Sequence, residues 1–369
     1  MKNYKIALLA GDGIGPEIMA EAVKIFKLVE ERNDVSFELI EADFGAGAYF
    51  KCGHPFPEET KAICDEADAI IKGPIGLSHE ESKKIPVDMQ PERAALLPLR
   101  KRYNTFANFR PVSLPKALGH FSPLKPEIIG EGIDLVMVRE LVGGLYFGKK
   151  EVGVNERGLR YVKETLEYDE EQISRIMHEA LQLSMRRKKV LHNIHKSNVL
   201  KSSVLWNEVL EEVAQEYPEV EIKHILVDAA ATLLCLNPCQ FDVMVMENMF
   251  GDILSDQGGG ILGSLGLMPS SCKGPEKSYY EPSHGSAPDI AGQNIANPYS
   301  MIGSVAMMLE GSFGMAEESR NVWSAMQSVF ADGYTTADLA KPGSDVKMIN
   351  TDAFGDKVVE ALRAMPRVG

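Results

Sequence analysis

Ile6-Ala7-Leu8-Leu9-Ala10-Gly11-Asp12-Gly13-Ile14-Gly15-Pro16-Glu17 sets the reading of the whole chain. Ile6 to Ala10 is a short apolar run suited to a buried strand, Gly11 to Pro16 is a turn, and Glu17 to Glu31 carries the spacing of an amphipathic helix. A strand that feeds a helix through a glycine-rich turn invites comparison with the dinucleotide fingerprint G-x-G-x-x-G. That fingerprint needs glycine where Pro16 stands, and proline suits the first turn of a helix. The opening is therefore an α/β unit but not a Rossmann fold.

The alternation continues along the chain. Ala69-Ile70-Ile71, Leu135 to Val138, Val190 to Ile194, Ile222 to Val227 and Val243 to Met246 read as further strands, with periodic helical stretches between them. At 369 residues, with 44% apolar and 25% charged side chains, the chain can build a large core in two domains or one large one. No apolar run approaches membrane-spanning length, and no leader pattern precedes the first strand, so the cytoplasm is the expected address. Net charge is −14, from 39 basic and 53 acidic residues, with no basic stripe, which disfavours nucleic acid as a partner. The five cysteines, at 52, 64, 235, 239 and 272, suit a reducing compartment. Cys235 and Cys239 lack a second ligand pair for zinc and read as buried thiols.

Chemistry concentrates after the strands. In Asn248-Met249-Phe250-Gly251-Asp252-Ile253-Leu254-Ser255-Asp256 the two aspartates, four apart, share a helix face. Two like charges there cost about 0.2–0.5 kcal/mol unless a cation lies between them. Hard carboxylate oxygens suit Mg²⁺ or Mn²⁺, and the alternative is a solvated acidic face. Asp228, at the end of His224-Ile225-Leu226-Val227, is a third carboxylate, equally readable as a helix N-cap. Lys196 follows another apolar stretch and could take a proton beside a cation, although its segment alone favours a surface lysine. Arg100, Arg110 and Arg139 suit bidentate carboxylate recognition, and Tyr146 carries a proton to donate.

These segments, with Glu281-Pro282-Ser283-His284-Gly285-Ser286-Ala287-Pro288-Asp289-Ile290-Ala291-Gly292, resemble the β-decarboxylating dehydrogenases of isopropylmalate and isocitrate over nearly the whole chain. Gly11 to Glu17, Arg139 to Gly148, Asn248 to Asp256 and Glu281 to Asn297 occur in family order. The resemblance implies that family's own two-domain α/β fold: residues 1–105 with 263–369 as the first domain, which carries most of the NAD site, and 106–262 as the second. The second domain would build a homodimer interface and hold the catalytic lysine and metal carboxylates. It also implies shared active sites, with Arg100, Arg110, Arg139, Tyr146, Asp252 and Asp256 from one subunit, and Lys196 and Asp228 from the other.

By the same resemblance Lys196, Tyr146 and Asp228 are catalytic. Asp228, Asp252 and Asp256 bind the metal. Ile14, Glu281, His284, Gly285, Ser286, Ala287, Asp289 and Asn297 contact the cofactor. Asp289 would bond the adenosine ribose hydroxyls and repel a 2′-phosphate, by about 4 kcal/mol for unit charges about 4 Å apart at an effective dielectric near 20, which favours NAD. The implied reaction is oxidative decarboxylation of a 3-substituted malate. Leu96, Leu97 and Val199 look like an apolar pocket for isopropylmalate, a substrate of leucine biosynthesis. Arg93 in the same loop is the residue able to reverse that choice by pairing with a third carboxylate. The chain departs from the leucine-pathway pattern at His195, at Val142 and in the loop Lys72-Gly73-Pro74-Ile75-Gly76-Leu77. Methylmalate, tartrate, isocitrate and homoisocitrate stand as alternative substrates, and a non-catalytic regulatory subunit as an alternative of another class.

Overall fold

The computed structural model describes residues 2–340 and 346–367. It divides into two compact units, Met1–Tyr103 with Ala117–Pro123 and Leu262–Gly369, and Asn104–Lys116 with Leu124–Ile261.

In the first unit the strand order is Val35–Glu41, Lys2–Leu9, Ala69–Lys72, Ser278–Pro282, Pro269–Lys273. The first three pairings are parallel and the last is antiparallel. Helix Gly15–Arg32 starts two residues before the expected Glu17, with Pro16 in its first turn where a missing N–H costs nothing. Its last turn is anchored by Arg32, whose Nε meets Glu318 Oε1 at 2.6 Å on helix Ala316–Ala331. The same guanidinium donates to the carbonyls of Leu362, Met365 and Pro366 at the end of helix Thr351–Ala364. One buried cation therefore ties down the last turn of the terminal helix and the two residues that follow it.

In the second unit the order is Ala107–Pro115, Gly132–Glu140, Val243–Met246, Val190–His195, Glu221–Leu226, antiparallel at the first pairing and parallel after it. Helix Glu170–Arg186 begins with a capping box between Asp169 and Gln172. It buries Ile173, Ile176, Met177, Ala180 and Leu181, the i, i+3, i+4 stripe, in one cluster with Trp206, Leu210, Val243 and Val245. Burying each large aliphatic chain there stabilises the unit by about 1.5–3 kcal/mol.

Three sequence expectations are corrected. The strand expected to reach Val227 ends at Leu226, and Val227 opens helix Val227–Leu236. Leu226 holds the N-cap position, so Asp228 lies inside the first turn and is not the cap. Cys235 and Cys239 are exposed rather than buried, because the apolar helix carrying Cys235 buries only Ala230 and Leu234. The Cys239 thiol sits against the carbonyls of Ile128, Ile129 and Gly132. Among the described residues no helix is long and apolar enough to cross a membrane.

Candidate active site

Within the second unit, strand Gly132–Glu140 delivers Arg139 to helix Asn248–Leu262. Its side chain is 1% exposed. Nη1 lies 2.5 Å from Asp252 Oδ1, and Nε and Nη2 donate to Asn248 Oδ1 at 3.1 and 2.8 Å. The approach depends on Gly251, since a Cβ there would come within 2.5 Å of Arg139 Cγ. After the strand, the buried Glu140 carboxylate accepts the N–H groups of Val142 and Gly143, which turns the chain toward Tyr146. Val142 takes part in this turn through its backbone N–H, while its side chain packs against the core of the unit.

Tyr146 donates to Asp252 Oδ2 at 2.8 Å, and the Arg139 guanidinium lies 5.9 Å from its ring centroid. Burial and the Asp252 charge push the phenol up to about 12, so it keeps its proton at neutral pH. Arg110, also buried, donates to Asn108 Oδ1 at 2.9 Å and Ser255 Oγ at 2.6 Å, and its Nη1 lies 3.5 Å from Asp256 Oδ1. Burial raises the Asp256 carboxyl above its ordinary range while Arg110 pulls it back. Two aspartates one turn apart, each tied to an arginine, thus form a hard-oxygen pair of the kind Mg²⁺ or Mn²⁺ takes.

Lys196 and Asp228 form a separate pair, with Nζ 2.6 Å from Oδ1. Lys196 keeps its Asp228 partner below the usual carboxylate range. The Lys196 backbone is fixed by an N–H bond to Ser203 Oγ, while Val199 is 71% exposed. Burial, then the neighbouring His224, lowers the His195 imidazole, and His195 Nδ1 accepts the Ser197 N–H. Among the described residues no three His, Cys, Asp or Glu side chains gather as a metal site, so Asp228 does not join Asp252 and Asp256 within one chain.

In the first unit Arg100 Nε donates to the Tyr279 hydroxyl at 3.1 Å, and its Nη2 lies 4.0 Å from Glu281 Oε1. Lys72, 2% exposed, meets Glu281 Oε2 at 2.5 Å. Leu96 and Leu97, four and three residues before Arg100, share its helix face. The preceding turn, Glu92–Leu96, is π-helical, closed by the Leu97 N–H on the Glu92 carbonyl. An i→i+5 turn inserts one residue, which rotates what precedes it by roughly 100° relative to an unbroken α-helix. Arg93, which seven-residue spacing would otherwise align with Arg100, is exposed.

Ile14, His284, Ser286 and Asn297 are each fixed by a hydrogen bond, Ile14 and Ser286 to one another. The Ile14 N–H reaches the Ser286 carbonyl at 2.8 Å, His284 Nε2 lies 2.9 Å from Ser300 Oγ, and Asn297 Nδ2 donates to Asp338. Burial lowers the His284 imidazole and keeps it neutral at pH 7. Ala287 is held at φ 40°, in the left-handed region, where a non-glycine residue marks local strain. Gly285 and Asp289 are exposed, and Asp289 receives the Gln293 amide on its carbonyl and not on its carboxylate. An acid presented this way suits a ribose diol.

Sequence reasoning named the arginines, the aspartates and Glu281 but missed Asn248, Ser255 and Tyr279 as partners of the arginines and Lys72 as the partner of Glu281. Asn248 and Ser255 stood inside the quoted aspartate run at i−4 and i−1 to the two acids. Lys72 was visible as a departure from pattern. Nothing in one dimension marked Tyr279.

An α/β protein with an arginine and a tyrosine gathered on the aspartate of one helix, and an arginine beside apolar side chains on another, has the parts of a dehydrogenase for a hydroxy acid. The sequence profile of the isocitrate/isopropylmalate dehydrogenase family matches residues 5–358. The 3-isopropylmalate dehydrogenase of Thermotoga maritima is 47% identical across 97% of this chain and 99% of its own. Those of Vibrio parahaemolyticus and Haemophilus influenzae are 45% and 44% identical at similar coverage. The crystal structure of isocitrate dehydrogenase from Methylococcus capsulatus superposes with a TM-score of 0.84 at 34% identity, covering 98% of this chain and 99% of that one. The chain belongs to the isocitrate/isopropylmalate dehydrogenase family, and it is a decarboxylating dehydrogenase.

Proposed function

We propose that the chain is a cytoplasmic homodimeric enzyme that oxidatively decarboxylates (2R,3S)-3-isopropylmalate to 4-methyl-2-oxopentanoate and CO₂ with NAD, in leucine biosynthesis. The observation that carries the substrate choice is the Leu96–Leu97 face beside Arg100, with Arg93, inside the π-turn, exposed. Relatives of the same name at 44–47% identity support it. All five thiols are free, as a reducing compartment requires. The unit with both termini carries most of the NAD contacts, and the other carries the dimer interface.

Arg100, Arg110 and Arg139 orient the substrate carboxylates. Lys196 of the partner subunit takes the C2 hydroxyl proton, and NAD, which Ile14, Glu281, His284, Ser286, Asp289 and Asn297 would hold, would supply the two-electron oxidation at C2. The C3 carboxylate then departs as CO₂, and its bonding electrons form an enolate that Tyr146 protonates at C3. Mg²⁺ or Mn²⁺, held by Asp252 and Asp256 with Asp228 of the partner subunit, supplies Lewis-acid stabilisation of that developing negative charge. The arginine-tied aspartates and the proton-bearing Tyr146 are this chain's own contribution.

Steady-state kcat/KM over isopropylmalate, methylmalate, malate, tartrate, isocitrate and homoisocitrate tests the reading. Isopropylmalate leads the panel. The tricarboxylates are rejected most sharply, because an unpaired buried carboxylate costs several kcal/mol while lost methyl groups cost about 1–3 kcal/mol. Preference for either tricarboxylate overturns the apolar pocket and points to Arg93, His195 or Lys72.

A further inference from the structure

The turn Gly11 to Pro16 is not a dinucleotide fingerprint, yet its aspartate is among the most fully bonded carboxylates of the first unit. Asp12 is 7% exposed. Oδ2 accepts the N–H groups of Ala46 and Gly76, both at 2.9 Å, and Oδ1 accepts that of Gly47 at 3.0 Å. Two chain segments distant in sequence, 46–47 and 76, therefore converge on one side chain. The fit leaves no slack, since a Cβ on Gly45 would come within 2.6 Å of Asp12 Oδ2.

These bonds close a circuit. Asp12 holds the Gly76 N–H, and the Gly76 carbonyl accepts the Ser286 hydroxyl at 2.7 Å. The Ser286 carbonyl accepts the Ile14 N–H at 2.8 Å, two residues from Asp12, and the Asp12 N–H donates to the Pro74 carbonyl at 2.8 Å. A Cβ on Gly13 would lie 2.0 Å from the Ser286 oxygen, so the approach of these backbones requires glycine there. Loop 73–77 is thus pinned at Pro74 and Gly76 to the same turn that carries Ile14 and to the run that carries Ser286.

We propose that Asp12 is a positioning residue for the cofactor: its carboxylate fixes loop 73–77 against Ile14 and Ser286, preforming the surface that receives NAD. The inference rests on the NAD reading above. A carboxylate accepting three amides is strong and directional, and its loss strands the buried Ala46 and Gly76 donors and frees Gly47, so the loop loses its register before any ligand arrives. Asparagine keeps one oxygen, which in the Oδ2 position still serves Ala46 and Gly76.

The test uses the full-length protein and two readouts, hydrogen exchange at residues 73–77 without cofactor and the NAD dissociation constant by titration calorimetry. Asp12→Ala speeds exchange across 73–77 and weakens NAD at least about tenfold, while isopropylmalate affinity stays within about twofold, as independent sites do. Asp12→Asn recovers most of both effects. Ser286→Ala, which cuts the circuit at a hydroxyl and threatens folding less, also speeds exchange at 73–77 in the absence of NAD, which loss of a direct cofactor contact does not do. Folded Asp12→Ala or Ser286→Ala with unchanged exchange overturns the proposal. So do equal losses of NAD and substrate affinity in Asp12→Ala and Asp12→Asn. If the wild-type protein fails to bind NAD in the same titration, the cofactor reading falls instead, and the proposal falls with it.

Discussion

Arg139, Asp252 and Tyr146 brace one another beside buried structure, whereas Lys196 and Asp228, in the same unit, meet at an exposed rim. Asp252 receives a 1% exposed guanidinium and a phenol. Asp228 is 67% exposed and has Lys196 as its bonded side-chain partner. The surroundings differ in the same sense. Helix Val227–Leu236, which carries Asp228, is apolar but buries only two residues, and Leu236 is 62% exposed. An apolar helix left largely exposed is the mark of a surface that another chain covers. In the proposed shared site the first set would work within its own chain and the second would be offered to a partner, and this contrast in exposure is what supports that proposal.

Removing the divalent ion is the strongest way to break that comparison. Exhaustive chelation is expected to lower turnover by about 10³ or more, with Mg²⁺ or Mn²⁺ restoring it, because both sets then lose what joins them. Full turnover in chelator would leave Asp228, Asp252 and Asp256 as surface acids.

Lys196→Ala and Arg110→Ala each lower kcat by about 10²–10⁴. Mixed and allowed to exchange, they yield hybrid dimers with one intact site, and about a quarter of wild-type activity returns for random 1:1 assortment. Mass-verified hybrids with no activity would show that Lys196 serves its own subunit. Tyr146→Phe tests the braced set alone. The phenol is held at about 12, so kcat falls by about 10²-fold or more while any alkaline limb below pH 10 stays where it is in wild type. A limb that moves with the substitution would mean that Tyr146 titrates lower than its surroundings dictate.

How far the sequence could be read follows the same division. Ala69–Lys72 and Val243–Met246 are buried along their length and announce themselves as apolar runs. Val35–Glu41 mixes exposed and buried positions at a sheet edge, and Ala107–Pro115 contains Pro111, so neither stood out as a strand. Pro269–Lys273 and Ser278–Pro282 are short antiparallel partners rich in serine and tyrosine, recognisable only once paired. For the site, a helix repeat sufficed to place Asp252 and Asp256 on one face. Their selection of Arg139 and Arg110 crosses about 110 to 150 residues and needs the register between Gly132–Glu140 and Ala107–Pro115. The buried Lys72–Glu281 pair was illegible for the same reason: a lysine after an apolar run reads as an edge residue until a carboxylate is found beneath it.

The smallest effect is also the one that separates folding from chemistry. Asp252→Asn removes the charge facing a nearly fully buried guanidinium and leaves one amide oxygen where two carboxylate oxygens had served Arg139 and Tyr146. Asp252 is itself 39% exposed, so water offsets part of the loss, and a destabilisation of about 1–2 kcal/mol is expected. Asp228→Asn breaks a pair whose acid is already solvated, and such pairs add little to stability. The two variants should therefore be equally inactive yet melt differently, Asp252→Asn several degrees below wild type and Asp228→Asn level with it, in metal-free buffer. The comparison has a clean point of failure. If Asp228→Asn melts as low as Asp252→Asn, then Lys196–Asp228 is a structural tie of its own unit, and an offered catalytic pair is the wrong description of it.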